Sequence, residues 1–216
     1  MSRRRSQQRK KTFTRRQRSI RQLFTNCILV LPFLVSPSAF ADKAVFAGGC
    51  FWCMESDFEK IDGVNEVISG FTGGSIPNPT YNGNHQGHYE AVEIDYDSTK
   101  LSYQDLLNHY WVNIDPFDAK GQFCDKGFSY LSAIFVEGDE QRHLAEASKE
   151  KVVKQFSNKK VVTPILAAST FYPIAGDEIG HQDYYKKNPL RYKYYRWNCG
   201  RDQRLDEIWG DQRKHH

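Results

Sequence analysis

The chain of 216 residues is 39% hydrophobic, 26% charged and 14% aromatic, which suits one globular domain and excludes a multi-pass membrane protein or disorder over most of its length. Its net charge of +4 is unevenly placed: residues 1–41 carry ten Lys or Arg and no acid, so residues 42–216 hold 20 basic against 26 acidic groups, a balance of −6. A domain of that sign has no general means of gripping phosphates, and no nucleic-acid partner is expected.

The basic N-terminus is followed by Leu23 to Val35, an apolar run too short to span a bilayer as a helix, and then by Ala39-Phe40-Ala41. That order reads as a secretory signal peptide over residues 1–41, cleaved after Ala41 to leave 175 residues exported to an oxidising space, the periplasm. An uncleaved anchor is the alternative, and a nucleic-acid-binding arm leaves the apolar run unexplained. Arg15-Arg16 hints at twin-arginine export, but the apolar residues expected just after the pair are delayed.

Lys43 to Ala47 reads as a strand, Gly48-Gly49 as a turn, and Cys50 to Ile61 as a helix with Phe51, Met54, Phe58 and Ile61 spaced three and four apart. A strand is expected at Val64 to Phe71, then a polar loop from Ser75 to Gly87, then an alternating strand from Tyr89 to Tyr96. Ser102 opens a helix to Val112 with Asp105 placed as in a capping box, and Asp115 to Tyr130 is a second loop. There follow a strand at Leu131 to Val136, a helix from Asp139 to Phe156, a strand at Val161 to Ala168, a helix around Asp177 to Lys187 and an irregular tail. Interleaved strands and helices with a hairpin-like pair point to an α+β two-layer sandwich with a mixed sheet, its site on the two long loops.

Four cysteines remain in the exported chain: Cys50, Cys53, Cys124 and Cys199. Two structural disulfides would be the plain reading for an exported protein, and the sequence leaves the connectivity open. A domain of this size also buries a core without staples, so redox chemistry carries equal weight. Cys50 follows two glycines into the first turn of a helix, where free N–H groups and the helix dipole favour a thiolate, so it is the candidate nucleophile. Glu90 shares the apolar face of its strand with Val92, Ile94 and Tyr96, where burial would keep its carboxyl protonated as a general acid; a strand end reaching solvent is the other reading.

These residues carry a resemblance to class A methionine sulfoxide reductases over about Ala44 to Leu190: GCFW at Gly49 to Trp52, GFTGG at Gly70 to Gly74, NPTY at Asn78 to Tyr81, GHYEAV at Gly87 to Val92, D-x-G-x-x-Y at Asp125 to Tyr130 and HQDYYKKNP at His181 to Pro189. The resemblance implies a catalytic domain over residues 42–216 with a ferredoxin-like core. It implies Cys50 as nucleophile, Glu90 as acid, Phe51 and Trp52 as the cradle of the S-methyl group, and Tyr81, Asp125 and Tyr130 as residues that orient the sulfoxide oxygen. Its reaction makes a sulfenic acid on Cys50, then a disulfide that a thioredoxin-like partner reduces, with free or protein-bound methionine-S-sulfoxide as substrate. His181, Gln182 and Tyr184 match a motif of the family and read as structural.

Three departures concern the resolving thiol. Cys53 stands where glycine is common in the family, Cys124 where asparagine is common, and the tail has one cysteine in place of a glycine-rich two-cysteine end. Cys199, flanked by Gly200 in a mobile tail, is expected to resolve the sulfenic acid. No cofactor or metal is expected, since the chain has no dinucleotide fingerprint and its histidines lack ligand spacing, and a monomer is expected. Cys50-x-x-Cys53 also fits a thioredoxin-like disulfide oxidoreductase, with a zinc module and a disulfide-stapled binding protein as weaker alternatives.

Overall fold

The computed structural model describes residues 41–215. Apart from Ala41, the expected signal peptide lies outside them. Strand β1 (Ala41–Gly48) leads through a glycine turn into helix α1 (Phe51–Phe58), then into β2 (Val64–Thr72) and β3 (Tyr89–Asp97). Helix α2 (Tyr103–Val112) starts at Ser102, whose hydroxyl accepts the Asp105 N–H while the Asp105 side chain accepts the Ser102 N–H, the expected capping box. The loop from Asp115 to Tyr130 holds a two-residue ladder, β4 (Gly121–Gln122) with β5 (Asp125–Lys126), and a 3-10 turn at Phe128–Tyr130. Strand β6 (Ser132–Val136) and helix α3 (Gly138–Gln155) follow.

The sheet order, completed by β7 (Ile165–Ala167) and β8 (Tyr172–Pro173), is β7-β6-β1-β3-β2-β8. Within it β6-β1-β3-β2 is antiparallel and arises from two successive strand-helix-strand units, which is the ferredoxin-like core; the parallel pair β6 and β7 makes the sheet mixed. Alternation along the strands sorts the two faces. Ala44, Phe46, Val92, Ile94, Tyr96, Ile134 and Val136 join the helices in the main core, while Ala47, Tyr89, Ala91, Ala133 and Phe135 form a smaller cluster on the reverse face.

Three segments differ from the sequence reading. The strand expected at Val161 to Ala168 shortens to Ile165–Ala167 because Pro164 has no N–H for the ladder, and Val162 and Thr163 bond instead to Pro116 and Ser132. The helix expected around Asp177 to Lys187 is split into a 3-10 stretch (Gly176–His181) and α4 (Tyr184–Lys187). Gln182 leaves the helix to bond both the N–H and the carbonyl of Ser69, and Asp183 turns left-handed at φ +53°. The C-terminal segment, expected as an irregular tail, folds into α5 (Pro189–Asn198) and α6 (Arg201–Trp209). Buried Tyr192, Leu205, Ile208 and Trp209 dock these helices, and the Trp209 indole N–H donates to the Ile114 carbonyl at 3.0 Å.

Candidate active site

Cys50 is the N-cap of α1, the residue just before its first turn. Gly49 has φ +85°, and a Cβ there would stand 2.6 Å from the Gln122 Cβ, so glycine alone makes the turn that delivers Cys50 to the helix. Glu90 arrives from β3, 2% exposed, and its Oε2 accepts the Phe51 N–H at 3.1 Å. Burial pushes the Glu90 carboxyl up to about 8, against the opposing pull of the Phe51 N–H and of the Tyr130 hydroxyl bonded to it. The acid is therefore largely protonated at neutral pH, and the strand-end reading of Glu90 does not hold.

An aromatic wall stands over this centre. Phe51 is fully buried, with Tyr81 stacked at 5.9 Å and Phe71 edge-on at 5.9 Å. Trp52 stacks on Tyr184 at 3.9 Å and donates its indole N–H to His181 Nδ1 at 3.2 Å, and His181 lies 3.9 Å from the Tyr81 ring. The loop carrying Tyr81 is pinned by Glu178, which accepts the N–H groups of Tyr81 and Asn82 at 2.7 and 2.9 Å. Burial raises Tyr81 to about 12 and also raises Tyr130, so both hydroxyls remain protonated donors.

Cys50 and Cys53 are both free thiols, 6% and 2% exposed, and are hydrogen-bonded to each other. Burial pushes Cys50 well up, and the bond to Cys53 adds to it. Cys53 goes the other way, to about 7, because Cys50 donates to it and the charges of Arg201 and Arg196 stand nearby. The bond between the two sulfurs thus sets them apart in acidity, with Cys50 as donor and Cys53 as acceptor. Arg201 is itself buried: it donates to the carbonyls of Gly48 and Asn113 at 3.3 and 2.8 Å, lies 3.6 Å from Asp57, and stacks on Phe123 at 4.6 Å.

Cys199 forms a disulfide with Cys124, 75 residues away. The Asp125 carboxylate lies 3.7 Å from the Cys124 sulfur and 3.8 Å from that of Cys199, and it accepts the Tyr195 hydroxyl. That hydroxyl also makes hydrogen-bond contact with Cys50. Tyr195 and Asp125 thus bridge the thiol pair on α1 to the disulfide.

The profile of the peptide methionine sulfoxide reductase family matches residues 42–213. The chain belongs to this family. It is 47% identical over 195 residues to peptide methionine sulfoxide reductase MsrA 2 of Caulobacter vibrioides, covering 87% of this chain and 96% of the relative. The family's MsrA of Bacillus licheniformis is 49% identical over 178 residues, covering 81% and 96%. Among solved structures, methionine sulfoxide reductase A of Corynebacterium diphtheriae superposes with a TM-score of 0.65 at 30% identity, over 71% of this chain and 78% of that one.

All eight residues singled out by sequence lie in this region: Cys50, Phe51, Trp52, Tyr81, Glu90, Asp125, Tyr130 and, in its disulfide, Cys199. His181 and Tyr184, read as structural, belong to the aromatic wall. Gln182 is structural, holding Ser69. Sequence reasoning missed Tyr195 and Arg201. Both lie in the segment expected to be irregular; the spacing of Leu205, Ile208 and Trp209 is the signal that could have placed Arg201, one turn before Leu205, on a buried helix face.

Proposed function

We propose that this family member reduces methionine-S-sulfoxide, free or within oxidised proteins, through Cys50. The observation that carries the reading is a buried, largely protonated carboxyl, Glu90, anchored at 3.1 Å to the first N–H of the helix that Cys50 caps. A sulfoxide oxygen leaves only when protonated, and a nucleophile beside such an acid supplies the two halves of that reaction. Trp52 and Phe51 receive the S-methyl group, while Tyr81, Tyr130 and Asp125 orient the oxygen.

As Cys50 attacks the sulfur, its proton passes to Cys53 and Glu90 protonates the oxygen. The hydroxyl so formed then passes from the methionine sulfur to the Cys50 sulfur as the new S–S bond breaks, so that methionine leaves and Cys50 is left as a sulfenic acid. In the reduced enzyme the Cys199 thiol attacks that sulfur, releasing water and forming a Cys50–Cys199 disulfide. Cys124 then attacks Cys199, freeing Cys50 as thiol and leaving Cys124–Cys199 oxidised, the cysteine arrangement seen here. A thioredoxin-like dithiol restores the pair. The test is dithiothreitol-driven reduction of the two separated epimers: the S epimer should be consumed and the R epimer left. Consumption of both at equal rates would refute the reading.

Residues 1–41 are proposed as a signal peptide, giving a periplasmic monomer. The ten uncompensated basic residues, the apolar run, Ala39-Phe40-Ala41 and a family match that begins at residue 42 support this. N-terminal sequencing of protein from the periplasmic fraction should begin at Asp42, and full-length protein in the cytosol would refute it.

A further inference from the structure

The two cysteine pairs differ in accessibility. Cys50 and Cys53 are buried, whereas Cys124 is exposed and Cys199 half-buried. The Cys124–Cys199 bond is therefore the more accessible entry point for electrons from a dithiol carried on a protein. Helix α5, whose C-cap is Cys199, turns Tyr192, Tyr195 and Arg196 inward and leaves Leu190, Tyr194 and Trp197 outward at 82%, 66% and 75% exposure. These three are spaced four and three apart, a single apolar stripe on the outer face of the helix whose C-cap is Cys199. Tyr194 and Trp197 pack ring against ring at 6.1 Å. A leucine and a tryptophan so exposed on one helix mark an interaction face, and a face carried on the helix that ends at a reducible disulfide suits a partner that brings a thiolate.

We propose that the Leu190, Tyr194 and Trp197 face of α5 is the docking surface for a thioredoxin-type reductant, and that Cys124 is the sulfur the reductant attacks. The partner thiolate forms a mixed disulfide with Cys124 and expels the Cys199 thiolate, which takes up a proton. The partner's second thiol then breaks the mixed disulfide, leaving Cys124 reduced and the partner oxidised. Two electrons have moved, and Cys199 is free for the next sulfenic acid. The reductant's apolar rim covers the stripe while its nucleophile reaches the one exposed sulfur among the described cysteines.

The inference rests on the sulfoxide-reductase reading, and the experiment separates the two. Turnover of methionine-S-sulfoxide is measured once with dithiothreitol and once with purified thioredoxin recycled by NADPH and thioredoxin reductase, for wild type, the triple variant Leu190→Ser/Tyr194→Ser/Trp197→Ser and the single variant Trp197→Ser. A wild type inactive with dithiothreitol would overturn the reductase reading itself. The docking proposal expects the triple variant to lose more than tenfold in kcat/KM for thioredoxin, through KM, with dithiothreitol turnover within twofold of wild type. Should the triple variant misfold, the single variant is expected to lose severalfold by the same measure. A thioredoxin KM that is unchanged overturns the docking face, as does light scattering that shows the stripe paired in a dimer with thioredoxin kinetics unaffected by its loss. A thioredoxin variant lacking its second cysteine should be trapped on Cys124; a trap on Cys199 overturns the assignment of the attacked sulfur.

Discussion

Cys50/Cys53 and Cys124/Cys199 lie within one site and are built oppositely. The first pair is sunk at the start of α1 among Glu90, Arg201 and the aromatic wall, and both of its sulfurs are free; the second joins a surface loop to the end of α5 and is oxidised. Burial raises the acid and holds the two thiols in one hydrogen bond, conditions that suit attack on a sulfoxide and leave little surface for a protein reductant. Exposure does the reverse, giving poor control of protons and ready access for a partner. Separating the two tasks lets each pair have the environment its step requires, with Tyr195 and Asp125 as the bridge.

The contrast is broken most completely at Cys50. Cys50→Ser should abolish sulfoxide reduction with any reductant while the far-ultraviolet circular dichroism stays that of wild type, since a serine hydroxyl forms no sulfenic acid. Measurable single-turnover activity in that variant would remove Cys50 from the mechanism. Cys199→Ser cuts the link between the pairs: one turnover should proceed, a dimedone-reactive sulfenic acid should accumulate, and thioredoxin-driven cycling should stop while dithiothreitol-driven cycling continues. Normal thioredoxin cycling would show that another thiol resolves Cys50.

Glu90→Gln keeps the shape of the buried site but removes its proton, and the chemical step should fall by roughly 10²-fold. The smallest effect expected concerns pH. Activation of Cys50 needs Cys53 ionised, so the single-turnover rate should rise with pH through about 7; it needs Glu90 protonated, so the rate should fall through about 8. Cys53→Ser should shift the rising limb to higher pH, and Glu90→Gln should erase the falling limb. A flat profile in wild type would contradict both assignments.

How much of this was legible in sequence follows from the range of the interactions. Strand alternation put Glu90 on the apolar face, and two glycines before Cys50 announced a helix start, both local signals. The ferredoxin-like core followed from the resemblance, and the strand pairing agrees with it. The tail was read as irregular because α5 leaves Leu190, Tyr194 and Trp197 exposed, so its apolar residues do not mark the buried side. Tyr195 stayed hidden for the same reason, and Arg201 because a charged residue is not expected on the buried face that Leu205, Ile208 and Trp209 mark on α6. The Cys124–Cys199 pairing spans 75 residues, and four cysteines allow three connectivities, so only tertiary structure selects it.

The central claim, that the oxidising equivalent made at the buried pair is handed to the exposed one, is tested most directly by disulfide mapping over time. Fully reduced protein is mixed with one equivalent of methionine-S-sulfoxide, without reductant, and quenched at intervals with an alkylating reagent before mass spectrometry. The account predicts a transient Cys50–Cys199 disulfide that gives way to Cys124–Cys199, with Cys50 and Cys53 alkylated at the end and one methionine formed per chain. A Cys50–Cys53 disulfide as the main product, with Cys124 and Cys199 alkylated, would contradict it.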